Sequence, residues 1–313
     1  MKNGRKSPTV LLRVLIACLA IAGATQGCAS APAGAPPAAS RGNLVIVGGG
    51  PIPEAITRRF VDLAGGRGKA RIAVLPMASS VASTGPDKVA ELRALGADAF
   101  VLNVKRPDAD ADSVVNALES ASGIWFSGGD QSRIMTALGG TRAAAAIRGR
   151  YLGGAVIGGT SAGAAVMSAT MITGDERRIG GDRPPSDSSQ AYITIDRDNI
   201  VTTAGFGLIG GAIIDQHFVR RKRQNRLVSL VLENPAQLGV GIDESTAILV
   251  RPDGRWEVAG ASVAVIFDAR GGRVTPKGTT LGAAEVRMHV LPSGSVFDPQ
   301  RGKVVQLGVA PPA

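Results

Sequence analysis

Gly159-Thr160-Ser161-Ala162-Gly163 follows the short apolar run Ala155-Val156-Ile157 and precedes the small residues 164–167. This order predicts a strand, a sharp turn and a helix, with the serine held at the turn. A hydroxyl at such a turn lies at the carboxyl edge of a sheet, where the N–H groups of the following helix favour negative charge. The pattern therefore predicts a nucleophile with part of an oxyanion hole, although a plain glycine-rich turn has the same five letters.

Apolar runs alternate with helical segments on the N-terminal side of this turn. The runs that we interpret as strands are 43–47, 71–75, 99–103 and 124–126. Short, fully apolar strands that alternate with helices are typical of a parallel sheet covered on both faces, so we predict an α/β fold. Sites in such sheets gather at the carboxyl ends of strands, and both Gly128-Gly129-Asp130-Gln131 and Ser161 follow a strand directly.

The chain beyond residue 190 has a different pattern, with short strands and a hairpin over 246–259. We expect this part to extend the same domain as a β-rich C-terminal extension. The segment 174–190 is dense in charge, Gly, Pro and Ser, which predicts a mobile surface loop near the site.

The N-terminal residues have the composition of an export signal. A basic start and the apolar run 10–22 lead to Cys28. We predict a signal peptide at 1–28, with lipidation of Cys28 favoured over ordinary secretion, a flexible tether at 29–42 and a single α/β domain at 43–313. The protein is then a periplasmic or outer-membrane lipoprotein, or extracellular, and its membrane contact is the lipid on Cys28.

Composition narrows the classes of function. The 313 residues carry a net charge of +10, and removal of the signal peptide with its four cations leaves about +6. Two Tyr, two Trp and no spread basic surface argue against a nucleic-acid binder. Two His, and Cys only at 18 and 28, leave little from which to build a metal site, so we expect neither metal nor cofactor.

A catalytic serine needs a base and a group that orients it. His289 lies in an alternating segment typical of an exposed strand, whereas His217 follows the apolar run 212–214 and is the better base. The orienting acid is expected in Gly241-Ile242-Asp243-Glu244. Adjacent carboxylates in extended chain point to opposite faces, so only one of them can reach the imidazole, and the pattern does not decide which.

Four motifs in order, at 128–131, 158–164, 215–218 and 241–244, resemble those of the cyanophycinases. These are serine peptidases of the family that also contains bacterial α-aspartyl dipeptidases. The resemblance implies a flavodoxin-like three-layer sandwich like class I glutamine amidotransferase domains, with a mostly parallel central sheet. It also implies a nucleophile, a base and an acid at Ser161, His217 and Glu244. The dipeptidase branch places its acid earlier in the chain, which leaves Asp175 and Glu176 as alternatives.

The same resemblance implies which groups bind the oxyanion and the substrate around the serine. The N–H groups of Ala162 and of Gly128 or Gly129 would bind the oxyanion. The positions that match substrate contacts in the family are Gln131, Asp215, Gln216, Arg221, Arg223 and Arg226. The last three lie in a basic run that predicts a helix over 218–232, with Arg223 and Arg226 on one face; a solvated basic face is the alternative.

The implied substrate is cyanophycin, a poly-aspartate chain with an arginine joined to each side-chain carboxyl. Each of those arginines keeps a free carboxylate, which guanidinium groups bind in two-point contact. The implied product is β-aspartyl-arginine, released exolytically. The alternatives are a related peptidase for other aspartyl or isoaspartyl peptides and a non-catalytic peptide-binding lipoprotein. The oligomeric state stays open, with a homodimer among the options.

Overall fold

A computed structural model describes residues 42–177 and 192–309. The predicted signal peptide at 1–28, the lipidation of Cys28 and nearly all of the predicted tether at 29–42 lie outside these ranges and stay predictions. Most of the loop predicted for 174–190 also lies outside them. Among the described residues, no helix combines the length and the hydrophobicity that crossing a bilayer requires.

The described helices are short. They are α1 (Glu54–Leu63), α2 (Thr84–Ala94), α3 (Asp112–Glu119), α4 (Gln131–Leu138), α5 (Arg142–Leu152), α6 (Ala162–Ala165) and α7 (Gln224–Glu233), with one 3-10 turn at Arg106–Asp108. The strands of the first half are β1 (Leu44–Val47), β2 (Arg71–Leu75), β3 (Asp98–Val101), β4 (Gly123–Phe126), β5 (Val156–Thr160), β6 (Thr170–Glu176) and β7 (Ile200–Ala204). Those of the second half are β8 (Ala212–Gln216), β9 (Leu238–Ile242), β10 (Thr246–Val250), β11 (Trp256–Gly260), β12 (Val263–Asp268), β13 (Arg273–Val274), β14 (Ala283–Ala284), β15 (Arg287–Pro292), β16 (Val296–Asp298) and β17 (Lys303–Gln306).

The central sheet has nine strands in the order β17-β16-β11-β10-β1-β5-β4-β2-β3. The five strands from β1 to β3 in that order are parallel, and the four from β17 to β10 are antiparallel. All residues of β1 and β4 are buried, which explains their unbroken apolar sequence. The predicted α/β class is therefore confirmed, and the predicted hairpin over 246–259 is present as β10 and β11.

A second sheet of four strands has the order β15-β12-β9-β8, with β8 and β9 parallel. Two small two-stranded sheets, β13-β14 and β6-β7, and two isolated bridges complete the pairing among the described residues. The carboxyl end of β9 leads through Asp243–Ser245 directly into β10, so this short connection joins the two large sheets.

The central sheet is covered by apolar side chains on both faces, because successive strand residues point to opposite sides. On one face Val45 and Val47 belong to a cluster with Phe60 and Trp125, whose rings meet edge to face at 5.0 Å. On the other face Leu44 and Ile46 belong to the larger cluster, which includes helices α4 to α6. The result is the three-layer arrangement expected from the strand pattern.

The helix predicted over 218–232 is wrong at its start, because α7 begins at Gln224. Lys222 has a φ of +51°, a left-handed conformation that a continuous helix does not contain. Asp243 accepts hydrogen bonds from two backbone N–H groups of the preceding segment and holds it as a separate turn. Arg223 is therefore the N-cap residue rather than part of a shared helical face.

Candidate active site

Ser161 lies between β5 and α6 with φ +53° and ψ −111°. An L-residue in such a conformation costs on the order of 1–3 kcal/mol, so the surroundings must hold it in place. Glycines make the close packing possible: a Cβ added at Gly163 would lie 2.3 Å from the carbonyl oxygen of Phe126. The Ser161 side chain is only partly buried and so is open to a substrate.

His217 follows β8, the last strand of the four-stranded sheet. Its Nε2 atom lies 2.9 Å from Oγ of Ser161, and its Nδ1 atom lies 2.7 Å from Oε1 of Glu244. The imidazole side chain is 8% exposed, and the Glu244 side chain is 27% exposed. Two hydrogen bonds therefore connect Ser161, His217 and Glu244, although His217 is 56 positions from Ser161 and 27 positions from Glu244 in the sequence.

The site lies where the two large sheets meet. Ser161 belongs to the nine-stranded sheet, His217 to the four-stranded sheet, and Glu244 to the connection between β9 and β10. Since the ends of β5 and β8 are both carboxyl ends, the placement follows the general rule for open α/β sheets.

The two adjacent carboxylates point in different directions. Oδ1 of Asp243 accepts hydrogen bonds from the N–H groups of Val219 and Arg220, at 3.1 and 2.9 Å, and Oδ2 accepts one from Ser262. Glu244 alone of this pair reaches the imidazole. The sequence pattern did not decide which of the two carboxylates orients the imidazole. In the structure it is Glu244, because Asp243 is engaged with the turn before α7.

The earlier acidic residues do not reach the imidazole either. Asp175 is exposed. Glu176 accepts hydrogen bonds from the N–H of Tyr192 and from the side chain of Asn199, so it ties the ends of β6 and β7 together.

The backbone around Gly128 forms the opposite wall of the site. A Cβ added at Gly128 would lie 3.4 Å from Cβ of Ser161. None of the described residues accepts a hydrogen bond from the N–H of Ala162, Gly128 or Gly129. Gly128 is thus close to the serine, and the binding of an oxyanion by these three N–H groups stays a prediction.

Asp215 and Arg226 form a buried ion pair. The Nε atom of Arg226 lies 2.7 Å from Oδ2 of Asp215, its Nη2 atom bonds Oδ1, and both side chains are at most 1% exposed. Their expected direct contact with substrate is not available in this geometry, because each is engaged with the other beneath the surface.

Arg223 lies above this pair and is partly exposed. It donates to both the backbone oxygen and the side-chain oxygen of Gln216, at 2.8 and 2.7 Å. Burial and the neighbouring charge of Arg226 lower the pKa of Arg223 to about 10, so it remains protonated at neutral pH. Arg221 is exposed, and no hydrogen bond joins its guanidinium to any described residue. Of the three arginines, Arg221 and Arg223 are the two that a ligand could reach.

Gln131 is 7% exposed and holds two elements together. Its side-chain nitrogen donates to the carbonyl oxygens of Ile172, at 2.9 Å, and Thr173. The amide group therefore joins the start of α4 to β6, and its N–H donors are occupied.

Sequence reasoning did not assign a role to Gly48-Gly49-Gly50. This run follows β1 and lies against both His217 and Glu244. The available signal was three consecutive glycines at the carboxyl end of a buried strand.

The described residues contain no group of three or more His, Cys, Asp or Glu side chains that could hold a metal ion.

The pKa of His217 is lowered, mainly by burial and also by the charges of Arg221 and Arg223, against the raising effect of the Glu244 hydrogen bond. Only the neutral imidazole can accept a proton. We therefore expect kcat/KM to rise with pH through one midpoint below 6.5 and to be flat at neutral pH. A pH–rate profile tests this, with His289→Gln as the control that leaves the midpoint in place. A midpoint above 7 would contradict the assignment of the base.

Removing one partner of the buried pair should destabilise the fold. Arg226→Met removes the two-point partner of the buried Asp215 and leaves Arg223, whose Nη1 atom lies 3.9 Å from Oδ1 of Asp215, as the remaining cation. Breaking a buried pair typically costs about 3–5 kcal/mol in the free energy of unfolding, and we expect most of that loss here. Arg220→Met, an exposed neighbour, is the matched control and should change this free energy by less than about 0.5 kcal/mol. Urea denaturation measures both, and equal effects would show that the pair is not structural.

Comparison with known proteins finds one peptidase family model and relatives that are named as cyanophycinases. The family model described as Peptidase family S51 matches residues 44–256. A cyanophycinase of Nostoc sp. is 33% identical over 274 residues, which cover 83% of this chain and 87% of the relative. A cyanophycinase of Geminocystis herdmanii is 33% identical over 270 residues, which cover 82% of this chain and 94% of the relative.

A solved structure of a peptidase from an acI-B1 Actinobacterium has a similar fold. Its TM-score is 0.55 at 23% identity, over 80% of this chain and 98% of that one. This likeness concerns the fold alone, and it confirms the predicted flavodoxin-like, class I glutamine amidotransferase-like class.

Proposed function

This chain belongs to peptidase family S51, a family of serine-type peptidases, and from that premise we propose that it hydrolyses cyanophycin to β-aspartyl-arginine dipeptides. The observation that carries the proposal is the hydrogen-bonded chain Ser161–His217–Glu244 with two accessible arginines beside it. The names of the two cyanophycinase relatives support the choice of substrate.

In the proposed reaction Oγ of Ser161 attacks the carbonyl carbon of the scissile peptide bond while Nε2 of His217 takes the hydroxyl proton. Glu244 keeps the Nδ1–H tautomer and stabilises the imidazolium that forms. The imidazolium then protonates the leaving amine, and water, deprotonated by the same imidazole, hydrolyses the acyl-enzyme. The N–H groups of Ala162 and of Gly128 or Gly129 bind the oxyanion, each contributing about 3 kcal/mol to the lowering of the barrier.

Charge around His217 suits a substrate with carboxylates. Arg221 and Arg223 lie close enough to the imidazole for their charges to lower its pKa, so both are near the base that acts on the reacting bond. Every arginine of cyanophycin carries a free carboxylate, which a planar guanidinium binds through two parallel hydrogen bonds. Arg223 is held in place by Gln216, whereas Arg221 is free to orient toward the ligand. We assign Asp215 and Arg226 to the support of this surface rather than to contact with the polymer.

The direct test is incubation of the purified mature protein with cyanophycin, with products identified by mass spectrometry. We expect β-aspartyl-arginine as the first product while long polymer persists, since exolytic cleavage releases dipeptides from chain ends. Ser161→Ala protein supplies the blank. If only other aspartyl or isoaspartyl peptides are cleaved, the substrate assignment is wrong but the peptidase stands. Binding without cleavage of any of these substrates would indicate a peptide-binding protein instead.

Arg221→Ala should raise KM for cyanophycin by about 10- to 100-fold, because loss of a hydrogen bond to a charged group costs about 1.5–3 kcal/mol. The matched control is Arg220→Ala, the adjacent exposed arginine, which should leave KM unchanged. An uncharged ester measured with both variants separates substrate binding from general damage to the site. Equal KM values for the two variants on cyanophycin would restore the view of a merely solvated basic face.

A further inference from the structure

We propose that Val47–Gly50, the residues at the carboxyl end of β1, are a template that sets the positions of all three members of the hydrogen-bonded chain. This inference rests on the proposed function, because it takes Ser161, His217 and Glu244 as the catalytic groups. We call Val47–Gly50 the β1 template.

Three successive carbonyl groups of the β1 template each accept a hydrogen bond from one corner of the site. The oxygen of Val47 accepts from the N–H of Ser161 at 3.0 Å, and that of Gly48 accepts from the N–H of His217 at 2.6 Å. The oxygen of Gly49 accepts from the N–H of Ser245, the residue after Glu244, at 2.9 Å. Elements far apart in sequence are therefore aligned by consecutive peptide units of one segment.

The three amides held in this way belong to residues with unusual backbone geometry. Ser161, His217 and Ser245 have φ angles of +53°, +49° and +55°, a region that L-residues rarely adopt. Four other described non-glycine residues have positive φ, and none of them bonds to the β1 template. Strained residues persist only where the structure around them fixes them, and here one segment does so at each corner.

The glycines of the β1 template also contact the side chains. A Cβ added at Gly49 would lie 2.3 Å from Cε1 and 2.4 Å from Nε2 of His217, so bare backbone lies against the imidazole. A Cβ added at Gly50 would lie 2.9 Å from Cβ of Glu244. Glycine at these two positions leaves the space that the imidazole and the carboxylate occupy.

The β1 template is itself firmly held. β1 lies in the middle of the central sheet, where Val47 is paired with Thr160 of β5 on one side and Ala247 of β10 on the other. The N–H of Gly48 donates to the oxygen of Thr246 at 2.9 Å. A segment fixed by two neighbouring strands can hold side chains to the tolerance that proton transfer requires.

The test compares Gly49→Ala with Gly254→Ala. Both glycines have positive φ, +106° and +82°, but nothing lies within 4 Å of a Cβ at Gly254, so the control carries the backbone cost without the contact. We expect reaction of Ser161 with a fluorophosphonate to slow at least 100-fold in Gly49→Ala and to be unchanged in Gly254→Ala. Thermal unfolding of both variants checks that each is folded at the temperature of the assay.

A second readout uses the imidazole NMR signals, which are simple to assign because the chain has two histidines. Gly49→Ala should shift the signals of His217 and leave those of His289 in place. Should Gly49→Ala fail to fold, Gly50→Ala replaces it, since the three atoms nearest to a Cβ at this position all belong to the Glu244 side chain. In that variant the pKa of His217 should fall below the wild-type value, because the Glu244 hydrogen bond raises it.

Unchanged His217 signals together with an unchanged fluorophosphonate rate in a folded variant would overturn the template. A wild-type protein that does not react with the fluorophosphonate would instead remove the proposed function. The imidazole signals of Gly49→Ala against those of Gly254→Ala would still decide whether the β1 template positions His217.

Discussion

Ser161→Ala is expected to lower kcat on any cleaved substrate by about 10⁶-fold, because the nucleophile and its base act as a unit and the loss of either removes the covalent route. The fold should remain, since Oγ of Ser161 bonds only the imidazole among the described residues. Turnover is measured by dipeptide release, and binding by the affinity of the variant for cyanophycin.

The control for this variant is Ser120→Ala, which removes a hydroxyl at the far end of α3. It should retain wild-type kcat. If Ser161→Ala kept activity within tenfold of the wild type, Ser161 would not be the nucleophile, whatever the distances around it.

Glu244→Gln is expected to lower kcat by about 10⁴-fold with little change in KM. An amide at this position can favour the wrong imidazole tautomer and cannot stabilise the imidazolium, which is the effect known for the equivalent acid of serine peptidases. Because the hydrogen bond that His217 donates to Glu244 raises the pKa of the imidazole, the residual activity should have its acid limb at lower pH than the wild type.

The alternative acids supply the controls for this second variant. Asp175→Asn and Glu176→Gln should keep kcat near the wild-type value, since neither carboxylate reaches the imidazole. A loss in Glu176→Gln as large as that in Glu244→Gln would contradict the assignment and would favour the chain order of the dipeptidase branch.

The architecture could be predicted because its signals are local. Runs such as 44–47 and 123–126 are fully apolar because both faces of their strands are covered, so the sequence pattern itself indicates a buried parallel strand. The chain order of Ser161 and His217 at the ends of such strands was accessible for the same reason. The expectation that only one of the two adjacent carboxylates reaches the imidazole agrees with the structure, but its reason was wrong, because Asp243 and Glu244 lie in the connection between β9 and β10 and not in a strand.

The remaining details depend on contacts between distant residues. Burial of Arg226 is not visible in a run of cations, because its partner Asp215 lies eleven positions earlier, in β8, and the family resemblance implied a substrate contact for that residue. The late start of α7 depends on Asp243, a residue of the connection between β9 and β10, whose carboxylate accepts hydrogen bonds from the backbone of the turn before α7. The signal peptide, the lipid at Cys28 and export stay predictions.

Because Ser161 and His217 follow strands of different sheets, the two groups meet only when both sheets are in place. A chain in which the nine-stranded sheet has formed and the four-stranded sheet has not yet docked holds Ser161 without His217 beside it. Such a chain would lack the base that takes the proton from the Ser161 hydroxyl. Hydrolysis therefore requires that both sheets be in place.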